Sequence, residues 1–378
     1  MARTYRLGVV GFAHMHINTL MDQFHALPSV QWVACADTAP DVPELVEVKH
    51  CRAWNLRYAR ETIGIPAVYA DYREMLATER CDLVLCCPEN GRHAEVAEAA
   101  AASGAHVLTE KPMATSLAEA ARMIRAAQRN GVEVFINWPN TWSPAVRMAK
   151  TVLDRGAIGT LWQVKVRRGS RGPWSHGSTR PGPDGQAGEM SEIEKGATWW
   201  YRAGTGGGAL LDYCCYGASQ SRWYVGEPAT AVFGLAANLG SPYASAEDNA
   251  AMLVRFPAAL GILEASWTCV DHGVPAGPLL YGTTGTIVVD GQAPQHTLWA
   301  ARGRDRAIEP IQPEPFPGGR DTVAKEVIHH LETGAPVHET LGAPFNLEVM
   351  AILDAGIRSA RSGQLECVDD PRECVDQS

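Results

Sequence analysis

The chain contains 378 residues, of which 46% are hydrophobic and 20% are charged, and its formal net charge is −9. This length exceeds what one hydrophobic core usually serves, so the sequence predicts two domains in an ordinary globular protein. The acidic balance, with no basic run, argues against a nucleic-acid-binding protein.

The sequence lacks targeting and membrane signals. No stretch approaches the roughly 18 consecutive apolar residues that a membrane-spanning helix requires. The first residues lead directly into a strand-like run, so we expect no signal peptide and a cytoplasmic location. The ten cysteines lie mostly inside apolar runs and form no C-x-x-C motif, which is typical of reduced core thiols and argues against a structural zinc site.

Short apolar runs alternate with helical patterns over residues 6–137. The runs occupy residues 7–10, 31–36, 83–87, 107–109 and 132–136. Continuous apolar runs of this kind indicate parallel strands covered by helices on both faces. We therefore predict a Rossmann domain, a doubly wound α/β fold, over residues 1–138.

Two helices of this first domain carry start signals. Asp71 with Glu74, and Ser116 with Glu119, have the spacing of a capping box, in which each side chain bonds a free backbone N–H of the other residue. Gly131 is placed to end the second of these helices.

The pattern changes after residue 138. A helical stretch at 145–153 is followed by alternating runs at 161–166, 250–256, 262–269 and 286–290. Alternation with period two indicates strands with one buried face, which is the usual state of an antiparallel sheet. We predict a second domain of the α+β class with an open sheet over residues 139–378.

Two segments of this second domain stand out. Residues 167–198 are rich in Gly, Pro and Ser and lack periodicity, so they form either a lid over a substrate or an arm to a neighbouring subunit. Residues 345–362 form a capped amphipathic helix that could pack back on the first domain.

Residues 11–16 follow the first strand, where a dinucleotide-binding turn belongs, but keep only the first glycine of G-x-G-x-x-G. Ala13 still allows close approach of a pyrophosphate, whereas His16 replaces the glycine that permits tight helix packing. An ordinary strand–helix turn remains the alternative. His14 and His16 suit a metal poorly, because their spacing is wrong for one helical face and no carboxylate accompanies them in the sequence.

Asp37 ends the second strand. A carboxylate at this position would accept a hydrogen bond from the 2′-hydroxyl of the adenosine ribose and would repel a 2′-phosphate. This favours NAD over NADP, although Asp37 could instead cap a turn before Pro40. Asn90 and His93 follow the third apolar run, where they would line the cofactor site or cap the next helix.

Lys111 lies at the end of another strand, at the edge where doubly wound folds bind ligands. Asp212 and Tyr216 follow a run of three glycines and would share one helical face. A lysine, an aspartate and a tyrosine beside a dinucleotide can move a proton while a hydride passes to nicotinamide. A nearby Lys111 is expected to lower the pKa of Tyr216 towards that of a working base. Tyr216 could instead be a buried helix aromatic, and Tyr213 is also available.

The chain resembles the Gfo/Idh/MocA family of oxidoreductases, which includes glucose-fructose oxidoreductase and inositol dehydrogenase. The resemblance covers nearly the whole length. It rests on Pro-Glu-Asn at 88–90 with His93, Gly-Ala-His-Val at 104–107, Glu-Lys-Pro at 110–112, Gly-Ala-Ile-Gly at 156–159 and Gly-Gly-Gly-Ala-Leu-Leu-Asp at 206–212. It implies a C-terminal α/β domain whose open, predominantly antiparallel sheet mediates homodimers or homotetramers.

The resemblance also implies site roles. Lys111 would contact the reacting hydroxyl, and Asp212 would orient the substrate or the base. Tyr216 stands where many members have histidine, and is similar to the acid/base tyrosine of other branches. The expected cofactor contacts are Gly11, Phe12, Ala13, His14, Met15, Asp37, Pro88, Asn90, His93, Glu110 and Lys111. Softer candidates for substrate binding are Asn137, Trp138, Arg167, Trp174 and His176.

The sequence therefore predicts an NAD(H)-dependent oxidoreductase acting on a secondary hydroxyl of a sugar, glycoside or cyclitol, without metal and without nucleic-acid or membrane partners. Two alternatives stay open. One is a redox-neutral enzyme that cleaves glycosides through transient oxidation with tightly held NAD. The other is a non-catalytic sugar or NAD sensor with the same fold.

Overall fold

A computed structural model describes residues 3–173, 180–181, 187–188, 190–269, 276–290, 297–302 and 307–376. Two large sheets organise these residues. No helix among them is both long and apolar enough to cross a membrane. All ten cysteines belong to the described residues, and none of them forms a disulfide.

The first sheet has six parallel strands in the order β3-β2-β1-β4-β5-β6. Its strands are β1 (Tyr5–Val10), β2 (Val30–Ala36), β3 (Val68–Tyr69), β4 (Leu83–Cys86), β5 (His106–Glu110) and β6 (Val134–Asn137). Its helices are α1 (His16–His25), α2 (Arg52–Tyr58), α3 (Tyr72–Thr78), α4 (His93–Ala102) and α5 (Leu117–Asn130). Helices on both faces leave the central strands almost fully buried, which explains their continuous apolar sequence.

The helix starts of this domain lie where the sequence predicts them, but the predicted capping boxes are wrong. Asp71 caps α3 by accepting from the Arg73 N–H. Ser116 caps α5 by accepting from the Glu119 N–H. The Glu119 carboxylate accepts from the N–H and the hydroxyl of Thr115 instead of from the Ser116 N–H. Thr115 offers two donors, whereas the capping box would supply only the one N–H of Ser116.

The second sheet has nine strands in the order β16-β15-β14-β13-β7-β12-β11-β10-β17. All neighbours are antiparallel except the parallel pair β7 and β12. The strands are β7 (Leu161–Gly169), β10 (Ala231–Ala237), β11 (Asn249–Arg255), β12 (Leu260–Ser266), β13 (Leu279–Gly282), β14 (Gly285–Asp290), β15 (Thr297–Arg302), β16 (Ala307–Pro310) and β17 (Glu366–Cys367). The predicted α/β class, with a parallel and a mainly antiparallel sheet, is confirmed.

The described residues after β6 include six further helices: α6 (Pro144–Asp154), α7 (Glu192–Gly196), α8 (Cys215–Val225), α9 (Val323–Thr333), α10 (Ala343–Ser362) and α11 (Pro371–Asp376). α8 covers β7 and β12, and α10 covers β10. The opposite face is open, and Leu235, Leu253 and Leu260 project from it with 59%, 53% and 50% of their surface exposed.

The end of the chain returns to the first sheet. α9 packs against α1, and α10 contacts both α5 and β6. Val323 and Val327 of α9 belong to the same apolar cluster as Phe24 of α1. Helices from the end of the chain thus join the two sheets into one packed body.

The predicted long loop is interrupted by regular structure. β7 continues to Gly169, and α7 begins with a capping box formed by Ser191 and Glu194. A small ladder pairs β8 (Arg180–Pro181) with β9 (Ala187–Gly188). The prediction of an aperiodic segment over 167–198 is therefore wrong at both ends, since the extension of β7 is paired with β12 and α7 is stabilised by its own cap.

The contact between β10 and α10 depends on two glycines. A Cβ at Gly234 would lie 2.5 Å from the carbonyl oxygen of Gly356, and the Gly234 N–H donates to Ser359 Oγ at 2.9 Å. We predict that Gly234→Ala lowers the free energy of unfolding by about 1–3 kcal/mol through overpacking. Chemical denaturation measures this change. Gly318→Ala is the control, because its Cβ would meet nothing within 4 Å; an equal loss in both variants would contradict the packing argument.

Candidate active site

The candidate site lies at the carboxyl ends of the parallel strands, which meet at one edge of the first sheet. Gly11 follows β1 with a φ of +89°, and a Cβ there would lie 2.3 Å from the Pro88 nitrogen. No other residue fits this turn without moving the chain after β4. The first glycine of the degraded fingerprint is thus required by geometry.

Hydrogen bonds fix the turn after Gly11. The Phe12 N–H donates to Asp37 Oδ1 at 3.1 Å, and the Ala13 N–H donates to the Cys87 carbonyl at 3.0 Å. Met15 occupies the N-cap position of α1. The turn therefore joins the ends of β1, β2 and β4, the three central strands.

Asp37 lies in a buried charged cluster that sequence analysis missed. Arg52 forms ion pairs with both Asp37 and Glu89, and its backbone N–H donates to Glu44 at 3.0 Å. Burial raises the pKa of Asp37 and of Glu44. Two carboxylates share the Arg52 guanidinium and a third lies beside the Arg52 backbone, so these four residues carry more carboxylates than cations. The sequence gives little indication that Arg52 pairs with Asp37, because Arg52 lies 15 residues away at the start of α2.

His14 and His16 are close to a carboxylate in space, which corrects the expectation that none accompanies them. His16 Nδ1 lies 2.7 Å from Glu110 Oε1, and Asn137 Nδ2 donates to Glu110 Oε2 at 2.7 Å. Donor atoms of His14, His16 and Glu110 all lie within 4.8 Å of one another. The lone pair of His14 Nδ1 accepts from the His16 N–H at 3.1 Å. Hydrogen bonds within the protein thus already occupy both Nδ1 atoms and both carboxylate oxygens.

Two adjacent tryptophans from the second half of the chain cover this turn. Trp199 Nε1 donates to the Ala13 carbonyl at 2.9 Å, and the Trp200 ring stacks on Trp199 with centroids 3.9 Å apart. The centroids of Trp200 and His14 are 4.7 Å apart. The buried Trp200 Nε1 has no partner among the described residues. The Trp-Trp pair just before the glycine run was the available sequence signal.

The glycine run supplies a tight turn that joins the two halves. A Cβ at Gly207 would lie 2.2 Å from the Trp200 carbonyl oxygen, and one at Gly208 would lie 2.2 Å from Glu247 Oε1. Glu247 accepts from the Ala209 N–H through its carbonyl and from Leu210 through Oε1, both at 3.0 Å. This turn opens the segment that carries Asp212.

Lys111 and Asp212 form a buried ion pair. Lys111 is 2% exposed, and its Nζ donates to Asp212 Oδ1 at 2.7 Å and to the Asp212 carbonyl at 3.0 Å. Trp267 Nε1 donates to Asp212 Oδ2 at 3.2 Å. The Lys111–Pro112 peptide bond is cis. The pair joins the end of β5 to the second half of the chain.

The Tyr216 ring lies against this pair, with its centroid 4.5 Å from Lys111 Nζ. Asp212 lies in a π-helical turn, Leu210–Cys214, and Tyr216 lies in the first turn of α8. Lys111 therefore contacts both residues, which the sequence placed on one helical face.

Burial and charge set the protonation of these groups. Burial opposes the charge of Lys111, but Asp212 outweighs it and raises the Lys111 pKa well above its usual range. Burial raises the pKa of Tyr216, and the cations of Lys111 and Arg168 offset only part of this. The expected net lowering of the Tyr216 pKa is therefore wrong. Burial, followed by the Asp212 charge, also raises the pKa of Tyr213 to about 12.

Other residues predicted to contact the cofactor lie deeper. The buried His93 begins α4, its Nδ1–H donates to the Pro112 carbonyl at 3.0 Å, and burial lowers its pKa. Asn90 Nδ2 donates to the Gly206 carbonyl at 2.9 Å, while the buried Asn90 Oδ1 has no partner among the described residues.

The residues predicted to contact the substrate do not lie together: Trp138 lies near Tyr216, whereas Arg167 lies on the open face of the second sheet. The centroid of the buried Trp138 ring lies 5.8 Å from that of Tyr216. Arg167 Nε lies 3.0 Å from Glu264 Oε2 on the open face of the second sheet. Arg168, which sequence analysis passed over, lies on the inner face with its guanidinium carbon 4.9 Å from the Tyr216 centroid. Trp174 and His176 lie outside the described residues.

Two models of one protein family match the chain. The first, described as an oxidoreductase family with an NAD-binding Rossmann fold, matches residues 5–138. The second, described as the GFO/IDH/MocA C-terminal domain, matches residues 146–288. The chain belongs to the Gfo/Idh/MocA oxidoreductase family. The resemblance found in the sequence motifs is confirmed.

Curated Gfo/Idh/MocA relatives match part of their length. An uncharacterized oxidoreductase of Bacillus subtilis, YrbE, is 26% identical over 235 residues, 61% of each chain. Myo-inositol 2-dehydrogenase of Thermotoga maritima is 26% identical over 65% of this chain and 67% of its own. D-apiose dehydrogenase of Paraburkholderia graminis is 33% identical over 33% of this chain and 34% of its own. The chain thus matches about a third to two thirds of these relatives.

Solved structures show the same fold over almost the whole chain. An aldose-aldose oxidoreductase from Caulobacter crescentus, complexed with glycerol, has a TM-score of 0.75 and 21% identity and covers 97% of this chain and 100% of its own. An oxidoreductase from Agrobacterium radiobacter, in complex with NAD+, L-tartaric acid and magnesium, has a TM-score of 0.71 and 19% identity, with coverages of 96% and 98%.

The buried Lys111–Asp212 ion pair of this Gfo/Idh/MocA chain should affect its stability. We expect Asp212→Asn to lower the free energy of unfolding by about 3–5 kcal/mol, because it leaves the buried Lys111 charge unpaired. Chemical denaturation of Asp212→Asn and of the double variant Lys111→Met/Asp212→Asn measures it. The double variant should recover much of the loss; similar losses in both would show that the charge pairing is not the cause.

Proposed function

We propose that the chain is an NAD(H)-dependent oxidoreductase that acts on a secondary hydroxyl of a sugar, glycoside or cyclitol. The observation that carries this proposal is the buried Lys111–Asp212 pair, which lies at the ligand-binding edge of the parallel sheet and against the ring of Tyr216.

The residues at this edge fit a dinucleotide. The turn at Gly11 follows β1 at the edge where a dinucleotide binds in such folds, and Asp37 accepts its bonds from described residues through Oδ1, which leaves its second oxygen for a ribose hydroxyl. Two orphaned buried polar atoms, Trp200 Nε1 and Asn90 Oδ1, come from the segments that surround the turn. When bound, NAD supplies a hydride acceptor at C4 of its nicotinamide ring.

Lys111 and Tyr216 have separate roles: Lys111 stabilises the charge of the reacting oxygen, and Tyr216 exchanges its proton. Lys111 stays protonated beside Asp212, so its N–H groups bind the reacting oxygen and stabilise an alkoxide. Tyr216 exchanges the proton of that oxygen. Because burial raises its pKa, Tyr216 holds its proton at neutral pH, which suits a general acid in reduction and makes oxidation faster at alkaline pH.

Relatives support the substrate class. The chain is similar to proteins named as dehydrogenases of myo-inositol, D-apiose and D-xylose. These names share a polyhydroxylated substrate with a CH–OH group.

For the cofactor we propose NAD rather than NADP. Two similar D-xylose 1-dehydrogenases carry NADP(+) in their names. In this chain, however, Asp37 and Glu89 both pair with Arg52, and Glu44 accepts from the Arg52 backbone N–H, so these four residues carry more carboxylates than cations. This excess of negative charge repels a 2′-phosphate.

For the assembly we propose a homodimer or homotetramer that forms through the nine-stranded sheet. Three leucines lie on neighbouring strands of its open face, and each has at least half of its surface exposed. They are Leu235 (59%), Leu253 (53%) and Leu260 (50%). Burying these leucines against the same face of a second copy would remove them from water.

The function is tested by mixing the protein with NAD and a panel of sugars, glycosides and inositols, and following absorbance of NADH. We expect NADH with one class and a rate that rises from pH 7 to pH 10, because the Tyr216 pKa is raised. Lys111→Ala and Tyr216→Phe should lower kcat at least about 100-fold, whereas Tyr213→Phe is the control. If Tyr213→Phe alone abolishes turnover, Tyr213 is the acid/base.

Other outcomes would replace the proposal. Cleavage of a glycoside by bound cofactor, without net NADH, would indicate the redox-neutral enzyme. Absence of both cofactor binding and turnover would favour a sensor.

Cofactor choice gives a separate prediction. Removing the carboxylate in Asp37→Ser should raise KM for NAD and lower that for NADP, so that the kcat/KM ratio of NAD to NADP falls about 10-fold or more. Steady-state kinetics with both cofactors measures it. Equal or better use of NADP by the wild type would refute the argument from the acidic cluster.

A further inference from the structure

Arg168 faces the candidate site from the second sheet. Val164, Val166 and Arg168 alternate along β7 on the inner face, and both valines are buried. Ser170, the next residue on this side, lies 2.8 Å from the Tyr213 hydroxyl through its Oγ. The Arg168 guanidinium carbon is 4.9 Å from the Tyr216 ring centroid. The Arg168 side chain therefore reaches the ring of Tyr216, which lies against Lys111, and its charge also acts on Tyr213.

Among the described residues, no carboxylate neutralises the charge of Arg168. Lys111 is paired with Asp212, and Glu110 is held by His16 and Asn137. Among the described residues, no carboxylate lies within ion-pair distance of Arg168. In the part of the chain that the structure describes, the half-buried Arg168 guanidinium thus neighbours the Tyr216 ring but no anion, and a ligand carboxylate would supply one.

Activation of a tyrosine does not account for this charge. The Arg168 cation favours the phenolate of Tyr216, but burial still leaves the Tyr216 pKa above its usual value. The same holds for Tyr213. An arginine at this position acts too weakly on either phenol to make it a base near neutral pH.

We propose that Arg168 binds a carboxylate of the substrate, so that the substrate is a sugar acid such as a hexuronate. A planar guanidinium can bind a carboxylate through two parallel N–H bonds, which fixes both the position and the orientation of the sugar. One guanidinium matches a monoanion better than a phosphate dianion. This inference rests on the proposed function and narrows its substrate class.

The test compares hexuronates with the matching hexoses and hexose 6-phosphates as substrates of the wild type and of Arg168→Gln. We expect the wild type to prefer the uronate by about 10- to 100-fold in kcat/KM, the range for a hydrogen-bonded charged group. Arg168→Gln should remove this preference, mainly by raising KM for the uronate. Arg168→Lys should restore part of it, because the charge returns without the two-pronged geometry.

Arg167→Gln is the matched control. It removes the same charge from the neighbouring residue of β7, but on the open face, where Arg167 pairs with Glu264. It should leave the preference for the uronate unchanged. A loss of preference in both variants would show that net charge, rather than the position of Arg168, decides it.

Several results would overturn the inference while leaving the proposed function intact. One is turnover of neutral sugars that equals or exceeds that of uronates. Another is preference for the 6-phosphate. A third is an equal loss in Arg168→Gln on acidic and neutral substrates, which would assign Arg168 to the tyrosines alone. If no substrate is oxidised, calorimetric titration with glucuronate and with glucose still tests the role of Arg168. Glucuronate binding by the wild type that is lost in Arg168→Gln supports the inference. Absence of glucuronate binding by the wild type refutes it.

Discussion

The contact between Lys111 and Asp212 holds the candidate site together. The lysine ends a parallel strand, the aspartate belongs to a turn about a hundred residues later, and both are buried. An ion pair removed from water is stable only where every remaining polar atom is satisfied. Trp267 and the Asp212 carbonyl provide such partners. The site is therefore a junction between the two sheets, and the chemistry of either half depends on the position of the other.

Other contacts reinforce the same junction from the cofactor side. The glycine run lets the chain pass close to Trp200 and Glu247, and Asn90 bonds the first of these glycines. Trp199 bonds the turn after Gly11. These bonds explain why a fingerprint with one glycine still gives an ordered turn: residues from the second half of the chain supply contacts that neighbouring backbone would otherwise provide. The cofactor-binding edge is thus only partly a property of the first domain.

Local sequence predicted those parts of the molecule that depend on local rules. Apolar runs located five of the six described parallel strands but missed the two-residue β3, alternation indicated the half-buried sheet, and the position of Lys111 after a strand indicated the edge to which it belongs. Contacts between distant segments were not predictable in this way. Nothing near Arg52 or Trp199 indicates which turn each residue reaches, and the carboxylate beside His16 comes from another strand. The pKa of Tyr216 was misjudged because the charge of a neighbour is visible in sequence motifs, whereas the extent of burial is not.

The two arginines of β7 show how much depends on strand register. β7 pairs in parallel with β12 and antiparallel with β13, so its alignment is fixed on both sides. Consecutive residues of a strand point to opposite faces, and a slip of one position would exchange them. Arg167 would then enter the site, and Arg168 would join the outer surface. The pairing of three strands thereby places one arginine on the inner face, near Tyr216, and the other on the open face. Insertions or deletions of a single residue in β7 would change both surfaces at once, which constrains how this strand can diverge.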